Sequence, residues 1–268
     1  MTEPPRSGSL AEPIALEEDL LDVAVEAARA AAAELLARWR GPLRVETKST
    51  PTDPVTEADR EAERAIREVL AARRPHDAIL GEEGGQTGAG ALRWVVDPLD
   101  GTVNFLYGLP TFAVSVAVQD ADGALAAVVL DPVQDELFTA TRSGCSSRNG
   151  EQLNGGADTS LETALIGTGF AYDPAVRAAQ AELAARLIPR ARDIRRGGAA
   201  AIDMCLCAAG SLDAYYERGI KAWDIAAGTL ICDRAGLVVR ALAPRDGLPS
   251  GVLVGRLGLI DELGRFGL

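Results

Sequence analysis

Apolar residues recur every three to four positions in two stretches near the start of the chain, and this spacing predicts two long helices. The first covers about residues 15–40. The second follows Thr56, which together with Asp59 has the spacing of an N-terminal capping box, and Pro75 ends it. The predicted apolar faces are Leu16, Leu20, Val23, Ala27, Ala31 and Leu35 in the first helix, and Ala58, Ala62, Ala65, Ile66, Val69 and Leu70 in the second.

Short apolar runs and alternating apolar positions then predict a series of strands. They cover residues 78–80, 94–96, 112–118, 125–130 and 137–141. The turn residues Asp122 and Gly123 separate two of them, so we expect an antiparallel meander. Proline cannot donate a hydrogen bond to a neighbouring strand, and Pro98 should therefore end the strand at 94–96. Helices followed by antiparallel strands indicate an α+β arrangement.

Beyond about residue 155 the pattern changes to alternating strands and helices, which indicates an α/β arrangement. The predicted strands are 164–168, 192–195, 212–216, 237–242 and 251–254, and the predicted helices are 174–188, 200–209, 223–235 and 259–266. A glycine-rich stretch lies at the change of pattern. We therefore predict a disordered tail at 1–14, an α+β domain at 15–155 and an α/β domain at 156–268.

Composition restricts the possible functions. The chain has 268 residues, a formal net charge of −12 and only one histidine, His76, in a predicted loop. The negative charge disfavours direct binding to nucleic acid. The four cysteines lack the spacing of zinc ligands and indicate free thiols in a reducing cytosol. Neither a signal peptide nor an apolar run of about 18 residues occurs, so we expect a cytoplasmic protein that does not contact the membrane.

The segment 94–105, Trp-Val-Val-Asp-Pro-Leu-Asp-Gly-Thr-Val-Asn-Phe, carries the most chemical information. Its strand delivers two carboxylates, Asp97 and Asp100, at its carboxyl end. Gly101 and Thr102 then offer backbone N–H groups where a helix could begin. Carboxylates bind hard cations such as Mg²⁺, and free N–H groups at a helix start bind phosphate. The segment therefore predicts a site for a metal-bridged phosphate.

Acidic residues also lie at three other junctions between secondary-structure elements. Asp53 precedes the second helix, Glu82 and Glu83 follow a strand, and Asp224 begins a helix. Each one alone is typical of a solvated turn or a helix cap. Carboxylates that are brought together repel one another, so a cluster of all four segments would imply a bound cation.

These residues match a known pattern. The segment 97–105 resembles the signature of the inositol monophosphatase family of Mg²⁺-dependent, lithium-sensitive phosphatases, and segments 81–83 and 223–228 resemble its two companion motifs. Segments 48–56 and 197–217 also fit in order and spacing, so the resemblance covers about residues 15–265. It implies a layered α-β-α-β-α sandwich, of the type shared with fructose-1,6-bisphosphatases, and a homodimer.

The resemblance also implies ligands for two or three Mg²⁺ ions. Glu82, Asp97 and the Leu99 carbonyl would bind the first ion, and Asp97, Asp100 and Asp224 would bind the second. A third, weaker ion would use Glu82 and water. The domain at 15–155 would thus hold most of the metal and phosphate site, and the domain at 156–268 would complete it.

Further roles follow from the same resemblance. The backbone of Gly101 and Thr102 would hold the phosphate, while Thr102 and Asp53 would orient the attacking water. Glu83 would lie behind the metal ligands. Lys48 would either offset their charge or be an exposed loop lysine.

On the substrate side, Glu217 and the backbone of Ala200 would contact sugar hydroxyls, helped by Asp100 and Asp224. Two basic positions remain open. Lys221 would touch a second phosphate or face solvent. The pair at 195–196 would lie at a dimer contact or at the rim of the site.

The leading hypothesis is a phosphatase that releases phosphate from myo-inositol 1-phosphate, a small phosphorylated polyol. A metal-activated water would attack directly, without a phosphoenzyme. The alternatives are a fructose-1,6-bisphosphatase, a 3′-phosphoadenosine 5′-phosphate phosphatase, a histidinol-phosphatase or an accessory protein of the transcription machinery. Glu217, seven residues before Asp224, favours the inositol branch.

Overall fold

The computed structural model describes residues 11–48, 50 and 52–266. The helices are α1 (Ala11–Arg38), α2 (Glu57–Arg73), α3 (Thr102–Leu106), α4 (Pro174–Leu187), α5 (Ala200–Ala208), α6 (Ala222–Arg234) and α7 (Leu257–Gly264). The strands are β1 (Val45–Thr47), β2 (Pro54–Thr56), β3 (Ala78–Gly81), β4 (Gly85–Thr87), β5 (Arg93–Asp100), β6 (Ala113–Asp120), β7 (Gly123–Asp131), β8 (Glu136–Thr141), β9 (Ser146–Arg148), β10 (Glu151–Gln152), β11 (Leu165–Thr168), β12 (Asp193–Arg195), β13 (Ala214–Arg218), β14 (Val238–Leu242) and β15 (Gly251–Gly255).

The larger sheet has eight strands in the order β10-β9-β8-β7-β6-β5-β3-β4. The strands from β5 to β10 pair antiparallel with their neighbours in sequence, which confirms the predicted meander. Strand β3 pairs parallel with β5, so the carboxyl ends of both strands reach the same edge of the sheet. The loop after β3 and the segment after β5 are therefore neighbours in space.

Helices α1 and α2 cover one face of this sheet with the predicted apolar residues. The exceptions are Leu16, with 41% of its surface exposed, and Ala65, which is only partly buried and lies outside this cluster. The capping box at the start of α2 is confirmed, because the Thr56 hydroxyl accepts from Ala58 N at 3.0 Å and Thr56 N donates to Asp59 at 2.8 Å. Helix α1 begins at Ala11, so residues 11–14 of the predicted tail are helical. The rest of that tail lies outside the described residues.

The smaller sheet has five strands in the order β12-β11-β13-β15-β14. Strands β12, β11 and β13 are parallel, and β15 pairs antiparallel with both β13 and β14. Helices α5 and α6 pack between the two sheets, while α4 and α7 cover the outer face of the smaller one. This arrangement is the predicted layered α-β-α-β-α sandwich.

The central layer joins the two halves of the chain. One apolar cluster contains Val129 and Phe138 from the larger sheet together with Met204 and Ile231 from helices α5 and α6. The two predicted domains thus share a core, and their boundary near residue 155 stays a prediction. Strand β13 lies about two residues later than predicted, which brings Glu217 into the strand.

The predicted end of the strand at Pro98 is wrong, because β5 continues to Asp100. Asp97 pairs with Ser115 and Asp100 pairs with Ala113, so three steps along β5 match two steps along β6. This extra residue is a β-bulge, in which a proline needs no ladder hydrogen bond. The bulge places two acids at the end of a buried strand.

Candidate active site

A pocket of about 570 Å³ opens where the end of β5, the end of β13 and the first turns of α3, α5 and α6 meet. Nearly all of the predicted site residues line it: Lys48, Asp53, Glu82, Asp97, Leu99, Asp100, Gly101, Thr102, Ala200, Glu217 and Asp224. Glu83 lies beside them and contacts Lys48. The structure thus brings together residues from all four acidic segments, and their individual roles stay predictions.

Three carboxylates form the deep side of the pocket, and backbone N–H groups orient each of them. Asp97 accepts from Leu99 N at 3.0 Å, and Asp100 accepts from Ala201 N at 2.6 Å. Asp224 accepts from Lys221 N at 2.7 Å in the first turn of α6. Asp97 is 2% exposed and Asp100 is 8% exposed. The position of these acids therefore depends on the fold itself rather than on mobile side chains.

Burial, together with the proximity of these acids to one another, disfavours their charged forms. Burial raises the pKa of Asp97 well above its usual value, and the charges of Glu82, Asp100 and Asp224 add to the effect. Burial and Asp224 likewise raise the pKa of Asp100, and burial raises the pKa of Asp224 to about 7. Such a cluster needs protons or a cation to neutralise it.

The outer side of the pocket is the turn 82–84, which joins β3 to β4 and carries Glu82 and Glu83. Lys48 Nζ lies 2.7 Å from Glu82 Oε1 and also contacts Glu83. Burial lowers the pKa of Lys48, but these two carboxylates outweigh burial and raise the pKa overall. The contacts favour the interpretation in which Lys48 offsets acidic charge.

Glu63 on α2 holds this loop from behind, a contact that sequence reasoning missed. Its carboxylate is 3% exposed and accepts from the N–H groups of Glu83, at 2.7 Å, and Gly84, at 2.9 Å. Arg67 donates to the same carboxylate at 2.7 Å. A Cβ atom at Gly81 would lie 2.5 Å from Glu63 Oε1, so a larger residue there would displace the Glu63 carboxylate. An acid on the buried face of a helix was the available signal.

Thr102 has a further acidic neighbour that the sequence analysis did not name. The Thr102 hydroxyl lies 3.1 Å from Asp59 Oδ1. Asp53 precedes β2 and lines the pocket wall. The capping box turns Asp59 inward, so that Oδ2 binds Thr56 while Oδ1 faces Thr102. Asp59 is 1% exposed, and burial raises its pKa.

The third side of the pocket combines acids with one arginine. The Tyr215 hydroxyl donates to Glu217, whose pKa is raised by burial. Burial also raises the pKa of Asp203 on α5 to about 7. Arg196 lines the pocket and favours the charged forms of both acids, which supports its interpretation as a rim residue. Its neighbour Arg195 instead pairs with an exposed aspartate.

The donor set fits a hard divalent cation, because carboxylate and carbonyl oxygens are the ligands that Mg²⁺ prefers. Within the described residues, no group of three or more Asp, Glu, His or Cys side chains already surrounds a common point. The acids do not surround one point because each is hydrogen-bonded elsewhere. Glu82 faces Lys48, whereas Asp97 and Asp100 face backbone N–H groups. Joint coordination would require Glu82 to turn away from Lys48.

Two other features concern the cysteines and the length of the helices. Cys205, Cys207 and Cys232 are buried free thiols, and Cys145 is an exposed one. In the part of the chain that the structure describes, no helix is long and apolar enough to cross a membrane.

The chain is similar to proteins of known family along nearly its whole length. The inositol monophosphatase family profile matches residues 16–263. An inositol-1-monophosphatase named SuhB from Mycobacterium tuberculosis is 43% identical over 272 residues, covering 97% of this chain and 93% of that protein. A Pseudomonas aeruginosa protein named Nus factor SuhB is 42% identical over 235 residues, covering 83% of this chain and 85% of that protein.

Solved structures agree with this assignment. The Bartonella henselae suppressor protein SuhB matches with a TM-score of 0.85 at 33% identity, covering 92% of this chain and 97% of that one. The inositol monophosphatase of Thermotoga maritima matches with a TM-score of 0.84 at 31% identity, covering 92% and 96%. The chain therefore belongs to the inositol monophosphatase family of phosphatases.

Proposed function

We propose that this protein is a Mg²⁺-dependent phosphatase that hydrolyses myo-inositol 1-phosphate. The observation that carries this proposal is the convergence of Asp97, Asp100 and Asp224 in one pocket, beside the hydrogen bond between Thr102 and Asp59. Phosphate ester hydrolysis needs strong stabilisation of anionic oxygens, and a pocket of buried acids provides it only when cations are bound.

The proposed cation ligands fall into two main sets, one for each of two Mg²⁺ positions. Glu82, Asp97 and the Leu99 carbonyl would hold one Mg²⁺, and Asp97, Asp100 and Asp224 would hold another; a third, weaker position would use Glu82 and water. When bound, the ions supply charge neutralisation and a water of lowered pKa. Because Asp97 belongs to both sets, its loss should affect both positions.

Asp59 and Thr102 would orient the attacking water. The Thr102 hydroxyl faces two acceptors at 3.1 Å, Asp59 Oδ1 and the Leu99 carbonyl, and donates its one proton toward them. Its oxygen is therefore free to accept a hydrogen bond from a water molecule. A proton released from that water would pass through Thr102 to Asp59, whose raised pKa suits a proton acceptor. In this mechanism Asp59 shares the predicted role of Asp53, which lines the same pocket and would also orient the water. The water attacks phosphorus directly, and no phosphoenzyme forms.

The remaining predicted contacts would place the substrate. Backbone N–H groups of Gly101 and Thr102 would hold the phosphate, and Gly101, with φ of 92°, permits the turn that exposes them. Glu217 and the Ala200 backbone would bind ring hydroxyls, helped by Asp100 and Asp224, because carboxylates accept strongly from hydroxyl donors.

A substrate comparison tests this proposal. Phosphate release should be measured from myo-inositol 1-phosphate, fructose 1,6-bisphosphate, 3′-phosphoadenosine 5′-phosphate and histidinol phosphate, with Mg²⁺ and with a chelator. We expect the highest kcat/KM for the inositol ester and no release with the chelator. Preference for another ester would keep the mechanism and replace the substrate, whereas release with the chelator would contradict the metal requirement.

We also propose that the protein is a cytoplasmic homodimer. The family membership supports this assembly. Light scattering on the purified protein should give twice the chain mass of 28.0 kDa. A mass of one chain at micromolar concentration would contradict it.

A second candidate is an accessory role in transcription, favoured by the similarity to the relative named Nus factor SuhB. The net charge of −12 points to a protein partner rather than direct binding to nucleic acid. Purified RNA polymerase and its elongation factors should be tested for binding to the wild-type protein and to Asp97→Asn. Equal binding by both would show that this role is separate from phosphatase chemistry.

A further inference from the structure

Arg218 is a buried cation on the opposite face of β13 from the substrate pocket. It follows Glu217, and successive side chains of a strand point to opposite faces. Its side chain crosses the neighbouring strand at Gly251, where a Cβ atom would lie 2.8 Å from Arg218 Cγ. The residue is only 2% exposed. Arginine at this depth is rare unless its charge is compensated.

The hydrogen bonds of Arg218 do not compensate its charge. Within the described residues, Nη1 donates to the carbonyl oxygens of Ala243 and Pro249, both at 2.9 Å, and Nε has no hydrogen-bond partner. Carbonyl oxygens carry no formal charge. Burial lowers the pKa of Arg218, and the positive charge of Arg245 lowers it further. An anion beside this guanidinium would relieve both effects.

A second pocket, of about 520 Å³, lies against this guanidinium. It is lined by Arg218, Arg240, Arg245 and Asp246, together with the segment 241–244. Its lining carries three guanidinium groups and one carboxylate, so the lining is positively charged. It belongs to the outer side of the smaller sheet, while Glu217 belongs to the substrate pocket.

The two outer arginines have only weak competing partners. Arg240 pairs with Asp261 at 2.6 Å, and Arg245 pairs with Asp246 at 3.2 Å. The four side chains are between 39% and 80% exposed. Exposed ion pairs of this kind contribute about 0–1 kcal/mol, so a doubly charged ligand can displace them. Arg240 and Arg245 can thus turn to a ligand without breaking the core.

We propose that this pocket, the arginine pocket, is a binding site for a phosphate group, separate from the catalytic pocket. Guanidinium groups bind phosphate oxygens in pairs, and a dianion matches the excess positive charge better than a single carboxylate does. Pro249 connects the two pockets, because it lines the substrate pocket and its carbonyl accepts from Arg218. A bound phosphate should therefore reduce the backbone motion of the segment 243–250. The proposal does not depend on the reaction at the catalytic pocket.

Hydrogen exchange tests this proposal at a defined place. The full-length protein would be studied in a chelator-containing buffer with increasing inorganic phosphate, while exchange is followed in peptides that cover 243–250. The variants would be Arg245→Gln and Arg240→Gln, and the matched control would be Arg186→Gln, which removes an exposed arginine outside this pocket. All three replaced residues are on the surface or in exposed ion pairs, so the variants should fold.

We expect phosphate to slow exchange in 243–250 in the wild type and in Arg186→Gln. Arg245→Gln and Arg240→Gln should each weaken the apparent phosphate affinity roughly tenfold, as loss of one charge-assisted hydrogen bond predicts. Repeating the titration with glycerol 1-phosphate distinguishes free phosphate from a phosphate ester as the preferred ligand. Unchanged affinity in both pocket variants, or no protection by either ligand, would overturn the proposal.

Discussion

The deep side and the outer side of the catalytic pocket place carboxylates by different means. On the deep side, Asp97 and Asp100 occupy a bulge of a buried strand and accept from backbone N–H groups. On the outer side, Glu82 lies in a loop held by charged side chains, namely Glu63 from behind and Lys48 in front. The first arrangement depends on packing and the second on electrostatics.

This difference separates two properties of the site. Backbone-oriented acids in a packed core cannot move without unfolding part of the sheet, so they fix where a cation binds. A loop carboxylate such as Glu82 can exchange an ion-pair partner for the cation, and this exchange costs little free energy. Loop carboxylates therefore adjust how tightly the cation binds. Substitutions on the deep side should therefore abolish activity, and those on the outer side should change Mg²⁺ affinity.

The largest effect should follow Asp97→Asn. We expect kcat/KM to fall roughly 10³-fold or more, because metal ions supply several kcal/mol of transition-state stabilisation and Asp97 would serve two of them. Steady-state phosphate release at several Mg²⁺ concentrations measures this loss. The control is Asp131→Asn, which alters another buried acid, 4% exposed, away from the pocket. Equal losses in both variants would point to damaged folding instead.

The next largest effect should follow Asp59→Asn. The amide keeps the shape of the side chain but cannot take a proton, so kcat should fall roughly 10²-fold while Mg²⁺ affinity stays close to wild type. The comparison variant is Asp53→Asn, at the pocket wall, for which we expect a smaller loss in kcat. A larger loss in Asp53→Asn would make Asp53, rather than Asp59, the main acid that orients the water.

A moderate effect should follow Glu63→Gln, which weakens the support behind the outer loop. Mg²⁺ affinity, measured by calorimetry, should fall roughly tenfold, the usual cost of losing a residue that orients a metal ligand. The value of kcat at saturating Mg²⁺ should stay near wild type, because the deep acids are untouched. Glu61→Gln, which alters a partly exposed acid on the same helix, is the control. A fall in kcat at saturating Mg²⁺ would contradict the division between the two sides.

The smallest effect should follow Lys48→Met. Removal of the ammonium frees Glu82 for a cation, so Mg²⁺ affinity should rise about two- to threefold, which corresponds to the strength of a solvent-accessible ion pair. Lys221→Met, at the other rim, should change the affinity less. Weaker Mg²⁺ binding in Lys48→Met would mean that the lysine helps to position the loop.

The same division explains what the sequence could predict. Asp97, Asp100 and Asp224 lie in motifs whose local geometry the backbone dictates, and the structure places all three in one pocket. The contact between Thr102 and Asp59 joins residues 43 positions apart and depends on how α2 packs.

Other contacts escaped prediction for the same reason. The capping box predicted the position of Asp59 on α2 correctly, yet Asp59 has a second carboxylate oxygen, and only tertiary structure shows where it points. Glu63 and Arg218 are likewise ordinary surface residue types in the sequence. Their burial becomes visible only when the turn 82–84 and strand β15 pack against them. Pro98 misled the prediction because a proline is compatible with a bulge as well as with a strand end.

The most direct test is a double-mutant cycle on Mg²⁺ affinity with Glu82→Gln, Asp97→Asn and the double variant, measured by titration calorimetry. If the outer and deep carboxylates bind the same ion, the double variant should bind about as weakly as the weaker single variant. If the two losses in binding free energy simply add, Glu82 and Asp97 act independently, and the proposed shared metal centre is wrong.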